Sequence, residues 1–242
     1  MKPEARLLRS ADGAAQAEQL AAAIAAELAT ALTLRAAASL VVSGGRTPQA
    51  MFAHLANHAI DWRRVQVTLA DERWVGASDS ASNEALVRST LLRDRAANAQ
   101  FVALKNDAAT PSQGANAAWR AVNAMPQPFD VVVLGMGDDG HTASLFPGSA
   151  GLAAALDASA PPGCVAMQPL TAAHARLSLN LAALLRARRI CIQISGAGKW
   201  DVYQRSLAEG PTEEMPVRAV LRQAVVPVDV YWCPDEPPAA SA

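Results

Sequence analysis

The sequence predicts a doubly wound α/β fold, a mostly parallel sheet with helices on both faces. Three observations carry the prediction. Short apolar runs alternate with helical stretches along the chain. Several of these runs close in glycine-rich or polar loops that open the next helix. One run, residues 129–134, is apolar throughout apart from Asp130, as a strand covered on both faces should be. The length of 242 residues and a hydrophobic content of 51% suit a single domain spanning 1–242 with a substantial core. They exclude a disordered chain, a collagen-like repeat and a small disulfide scaffold.

Each element has its own local reason. Leu20, Ile24, Leu28, Ala31 and Leu32 recur at helical spacing across residues 14–34, with Gln and Glu on the other face, which predicts a long amphipathic helix. Residues 39–42 form a strand stopped by Gly44-Gly45, and Thr47-Pro48 supplies an N-cap and a first-turn proline for a helix through Leu55. Residues 65–70 are the next strand, with a polar loop from Asp71. Ser82-Asn83-Glu84 then opens a helix whose inner face is Leu86, Val87, Thr90 and Leu91. After the buried run at 129–134, residues 176–179 and 189–194 are further strands, the second leading through Ser195-Gly196-Ala197-Gly198 into another helix. Residues 228–232 are the last strand, and 234–242 read as a flexible tail.

The charge balance narrows the partners. With 21 Lys+Arg against 22 Asp+Glu, the chain has no long-range field to attract nucleic acid or an anionic membrane, so an anionic ligand must be held locally. The stretch after Met1 shows neither a signal-peptide core nor a membrane span of about 20 apolar residues. The odd, widely spaced Cys164, Cys191 and Cys233 suit a reducing compartment. The expectation is a cytoplasmic protein, a monomer or small homo-oligomer, with a small-molecule ligand.

In open α/β sheets ligands sit beyond the carboxyl ends of the strands, which selects four loops. Ser43-Gly44-Gly45-Arg46-Thr47 joins a strand to a helix N-terminus. Its glycines let the backbone approach an anion, and its N–H groups and hydroxyls favour phosphate, although a plain strand-to-helix turn has the same composition. It is neither a Walker loop nor a dinucleotide fingerprint. The segment Gly135 to Gly148 gathers Asp138, Asp139 and His141 behind a buried strand. A histidine beside a carboxylate can serve as a general base, the bland alternative being an Asp-rich turn. Asp71-Glu72-Arg73-Trp74 offers a carboxylate and a guanidinium, or simply a solvated charged loop, and Asn83 caps the next helix or lines a pocket. Arg176 and Lys199, the latter one of only three lysines, are candidate phosphate cations or plain surface charges. His54 and His58 lie four apart on a helix without the Glu of a zinc motif or a third ligand, so no metal is expected.

These blocks, Ser43-Gly-Gly-Arg-Thr-Pro48, Asp71-Glu-Arg-Trp74, Ser82-Asn-Glu84, the Gly135 to Gly148 segment and Gly198-Lys199, together resemble the 6-phosphogluconolactonase family within the glucosamine-6-phosphate isomerase/6-phosphogluconolactonase superfamily. The resemblance implies a Rossmann-like fold of the sugar-phosphate isomerase/lactonase type. It implies hydrolysis of 6-phospho-D-glucono-1,5-lactone to 6-phosphogluconate, without metal or organic cofactor. Carried over residue by residue, it implies His141 as general base. Asp71 and Asp139 would orient the base, water or sugar hydroxyls. Ser43, Gly44, Gly45, Arg46 and Thr47 would cradle the phosphate, Arg176 and Lys199 would neutralise it, and Arg73 and Asn83 would line the site. The isomerase branch places a Glu five residues after its histidine, where this sequence has Phe146, an apolar ring that transfers no proton. A non-catalytic sugar-phosphate sensor would need a DNA-reading module that the N-terminal helix does not provide.

Overall fold

The computed structural model describes residues 5–170 and 173–235. The first half runs β1 (Arg6–Arg9), α1 (Gly13–Leu34), β2 (Ala38–Val42), α2 (Pro48–Leu55), β3 (Val65–Leu69), β4 (Asp71–Arg73), α3 (Asn83–Thr90), β5 (Gln100–Val102) and α4 (Pro111–Asn123). The second half runs β6 (Val131–Leu134), α5 (Leu152–Ala155), β7 (Cys164–Met167), β8 (Arg176–Leu179), α6 (Leu181–Leu184), β9 (Ile190–Ser195), α7 (Gly196–Leu207), α8 (Val217–Arg222) and β10 (Val228–Cys233).

Seven strands form one sheet in the order β1-β10-β9-β6-β2-β3-β5, every neighbouring pair parallel. All residues of β2 and β6 are buried, which requires cover on both faces because successive side chains point to opposite sides. Asp130 interrupts the apolar run for a reason: it accepts from Ser39 N at 2.9 Å and pairs with Arg35, tying the entry of β6 to the entry of β2. The seam between the first and last strands is charged in the same way. Buried Asp229 pairs with Arg6 at 2.9 Å and with Arg189 at 2.7 Å. From β2 the chain steps outward to β3 and β5, then returns on the other side of β2 with β6. That reversal is the switch point at which a crevice opens beyond the strand ends.

Several expectations need correction. The polar loop from Asp71 is the strand β4. It pairs antiparallel with β8, and β8 with β7, in a second, three-stranded sheet, so residues 176–179 do not belong to the parallel sheet. Thr47 adopts helical backbone angles and makes no capping hydrogen bond, so α2 starts on Pro48 without a side-chain cap. Helix α1 is long and apolar enough to cross a bilayer by length and composition, contrary to the reading that no such stretch exists. Its Leu20, Ile24 and Leu28 are instead fully buried, and the helix packs on β2, β6 and β10. β1, β5 and β7 are too short to carry a readable pattern, and α4 was missed although its amphipathic spacing is clear. α4 also has a legible start, with Thr110 accepting from Gln113 N and proline at the first position. Of the expected tail, 236–242 lie outside the described residues, while Asp235 is anchored by accepting from Ala197 N at 2.9 Å.

Candidate active site

The loops after β2, β6 and β9 and the facing ends of β4 and β8 enclose a cleft of about 400 Å³. Every candidate but one lines it: Ser43, Gly44, Gly45, Arg46, Thr47, Asp71, Arg73, Asn83, His141, Arg176 and Lys199. Asp139 stands behind the histidine. Arg46, Arg73, Arg176 and Lys199 face it against two carboxylates, Asp71 and Asp138, so a nearly neutral chain concentrates positive charge here.

The β2 loop is interlocked with α3. A methyl group on Gly44 would lie 1.9 Å from Asn83 Oδ1, so only glycine lets the loop backbone pack against the Asn83 side chain. Gly45 takes φ +104°, a left-handed turn that presents successive N–H groups at the start of α2. Asn83 is held by donating from Nδ2 to Asp71 O at 2.8 Å.

The β6 loop folds back on itself. Gly137 N donates to His141 O at 2.8 Å and Thr142 Oγ1 to Gly135 O at 2.8 Å, bringing the imidazole over the strand end. Asp139 Oδ1 lies 2.6 Å from His141 Nδ1 and accepts from its backbone N at 3.0 Å. Burial works to raise the Asp139 carboxyl, but the hydrogen bonds from His141 outweigh it and hold the group below its ordinary value, ionised at neutral pH. An ionised carboxylate only accepts, so the His141 Nδ1 that faces it carries a proton. Phe146 packs against the same ring, centroids 4.4 Å apart. The strap before α8 closes on the loop from behind, with Val217 N donating to Gly140 O at 2.9 Å and Met215 packed against Gly140.

The two aspartates thus part company. Asp139 bonds the His141 imidazole, whereas buried Asp71 accepts from Ser144 Oγ at 2.5 Å and lies 4.0 Å from Arg176 Nη1. Burial lowers the Arg176 guanidinium from its ordinary value and Asp71 works against the shift; a guanidinium remains cationic. Arg73 is fixed by Nη1 donating to Ala81 O at 2.7 Å.

Glu72, Ser144 and Gln193 were missed as site components, and Asp138 was named without a role. Glu72, in a segment for which a solvated charged loop was one of two readings, is 1% exposed. Its carboxylate accepts from Arg73 N, Asn83 N, Glu84 N and Ser82 Oγ, at 2.7, 2.7, 2.8 and 3.0 Å, and so caps α3 from within. Glu72→Gln, which turns one acceptor into a donor against those N–H groups, is expected to cost about 2–4 kcal/mol in urea unfolding. Ser144 fixes Asp71. Asp138 pairs with Lys199 at 2.7 Å. Gln193 of β9 also lines the cleft, held by Nε2 donating to Gln16 Oε1 at 3.0 Å. Only a sequence match to the surrounding motif marks Glu72 and Ser144, and nothing local marks Gln193.

Comparison with known proteins shows the family. The chain belongs to the family described as glucosamine-6-phosphate isomerases/6-phosphogluconolactonase, whose model matches residues 11–232. It is 44% identical over 220 residues to a 6-phosphogluconolactonase of Rhizobium meliloti, covering 91% of this chain and 95% of that one. It is likewise 44% identical over 221 residues to one of Pseudomonas aeruginosa, covering 91% and 92%. The crystal structure of a 6-phosphogluconolactonase from Shewanella baltica superposes with a TM-score of 0.92 at 48% identity, covering 96% of this chain and 99% of that one.

Proposed function

We propose that this protein hydrolyses 6-phospho-D-glucono-1,5-lactone to 6-phosphogluconate, the lactone-opening step of the oxidative pentose phosphate pathway, in the cytoplasm. The observation that carries the reading is that an oriented imidazole and a cationic, glycine-lined cradle share one cleft. In this reading the Gly44 and Gly45 amides, Arg176 and Lys199 receive the phosphate, and Arg46, Thr47 and Arg73 border it. His141 Nε2 takes a proton from water as the water oxygen attacks the lactone carbonyl carbon. The ring C–O bond then breaks and the proton passes to the departing alkoxide oxygen. A lactone is an activated ester, so positioning and one base suffice. Asp71, fixed by Ser144 and Arg176, is suited to receive a sugar hydroxyl. Phe146 against the histidine leaves no proton-transferring side chain where the isomerase branch has its Glu.

The direct test is acid release from freshly prepared lactone in a pH-stat. The protein should accelerate it well above spontaneous opening, and an unchanged rate would leave a binding-only protein. The loop geometry gives a second test. A methyl group on Gly137 would lie 2.0 Å from His141 Nδ1 and 2.7 Å from Asp139 Oδ1. Gly137→Ala is expected to lower turnover roughly tenfold to a hundredfold by displacing the ring, with circular dichroism unchanged.

A further inference from the structure

The ion pair between Asp138 and Lys199 sits where the proposed phosphate must go. Both residues line the cleft, Lys199 Nζ lies 2.7 Å from Asp138 Oδ1, and the two side chains differ sharply in exposure, 28% for Lys199 against 91% for Asp138. The lysine is therefore held within the wall, whereas the aspartate reaches it from solvent on the tip of the catalytic loop. Asp138 has none of the constraints seen in its neighbours. Asp139 is tied to His141 and Asp71 to Ser144, but Asp138 makes no structural bond that its loop needs for closure, which rests on Gly137, Thr142 and Gly140.

We infer that Asp138 is an internal competitor for Lys199, a carboxylate that a bound phosphate must displace and that reclaims the lysine when product leaves. The inference rests on the lactonase reading and deepens it. Hydrolysis turns a neutral ester into a carboxylic acid that ionises at neutral pH, so the product carries the same phosphate and one more negative charge than the substrate. A site with four cations set against Asp71 alone would hold this more anionic product better than the lactone it must admit next. An exposed carboxylate beside one of those cations weakens both ligands by a small amount and restores the empty site when product leaves. Because the pair is exposed, its competing strength is modest and salt-sensitive.

The experiment compares wild-type protein with Asp138→Asn, a substitution at an exposed position. KM for the phosphorylated lactone and the inhibition constant of 6-phosphogluconate are measured at low salt and at about 0.5 M NaCl, where charge screening is strong. The expected result is a tightening of both constants by about twofold to fivefold at low salt, with the two proteins converging at high salt. Unchanged constants, or weaker binding in the variant, would show that Asp138 is inert or preorganises Lys199, and would overturn the inference while leaving wild-type turnover intact. Absence of turnover by the wild-type protein would remove the functional reading and the inference with it.

Discussion

His141→Ala is expected to lower turnover of the phosphorylated lactone at least about a hundredfold, the usual scale of general-base catalysis, with the fold retained. The imidazole is oriented from three sides, by Asp139 at Nδ1, by Phe146 against its ring and by the loop bond from Gly137 N to its own carbonyl. None of these contacts is a core contact, so truncation removes the base without opening the sheet. Steady-state rates alongside thermal unfolding separate the two effects. A folded variant with near-wild-type turnover would take His141 out of the reaction. KM should move little, because the cationic residues assigned to the phosphate lie on other elements.

Lys199→Ala is expected to act in the opposite way, raising KM about tenfold to a hundredfold with a smaller change in turnover. A charge-assisted hydrogen bond contributes roughly 1.5–3 kcal/mol, and here removal has a second cost. Asp138, left without its partner, would stand as an uncompensated negative charge beside the bound phosphate. The double substitution Lys199→Ala/Asp138→Asn should therefore bind the lactone better than Lys199→Ala alone. Saturation kinetics at low ionic strength measure this directly, and an unchanged KM in Lys199→Ala would remove the lysine from the phosphate cradle.

Much of this site was legible because its residues cluster in loops whose composition has few structural explanations. Glycine pairs at strand ends, a histidine beside carboxylates and a lysine at a helix start each follow from what backbone and charge must do there. What stayed hidden has physical causes. Asp71-Glu72-Arg73 is three charged residues long, so neither period nor apolarity identifies a strand. Its conformation is imposed by antiparallel pairing with β8, more than a hundred residues later. Glu72 is buried because the N–H groups of α3 converge on it, and that convergence exists only in three dimensions. Asp138 and Asp139 are indistinguishable by sequence, yet one turns back to His141 and the other out to Lys199. The central sheet was readable where strands are buried on both faces, and unreadable at its edges, where β1 and β5 carry charge or are short.

The seam between β1 and β10 has a consequence for how the molecule comes together. Arg6 and Asp229 meet across a sequence separation of 223 residues, making this pairing among the most demanding in chain entropy that the sheet contains. It is also set apart from the cleft, since β10 stands between β1 and β9, the nearest strand that lines it, roughly 10 Å at ordinary strand spacing. Fraying of this outer strand can therefore proceed while β9, β6, β2 and β3 remain zipped beneath the cleft. The molecule thus separates a strand pairing that is costly in chain entropy from the cleft at the other strands' ends.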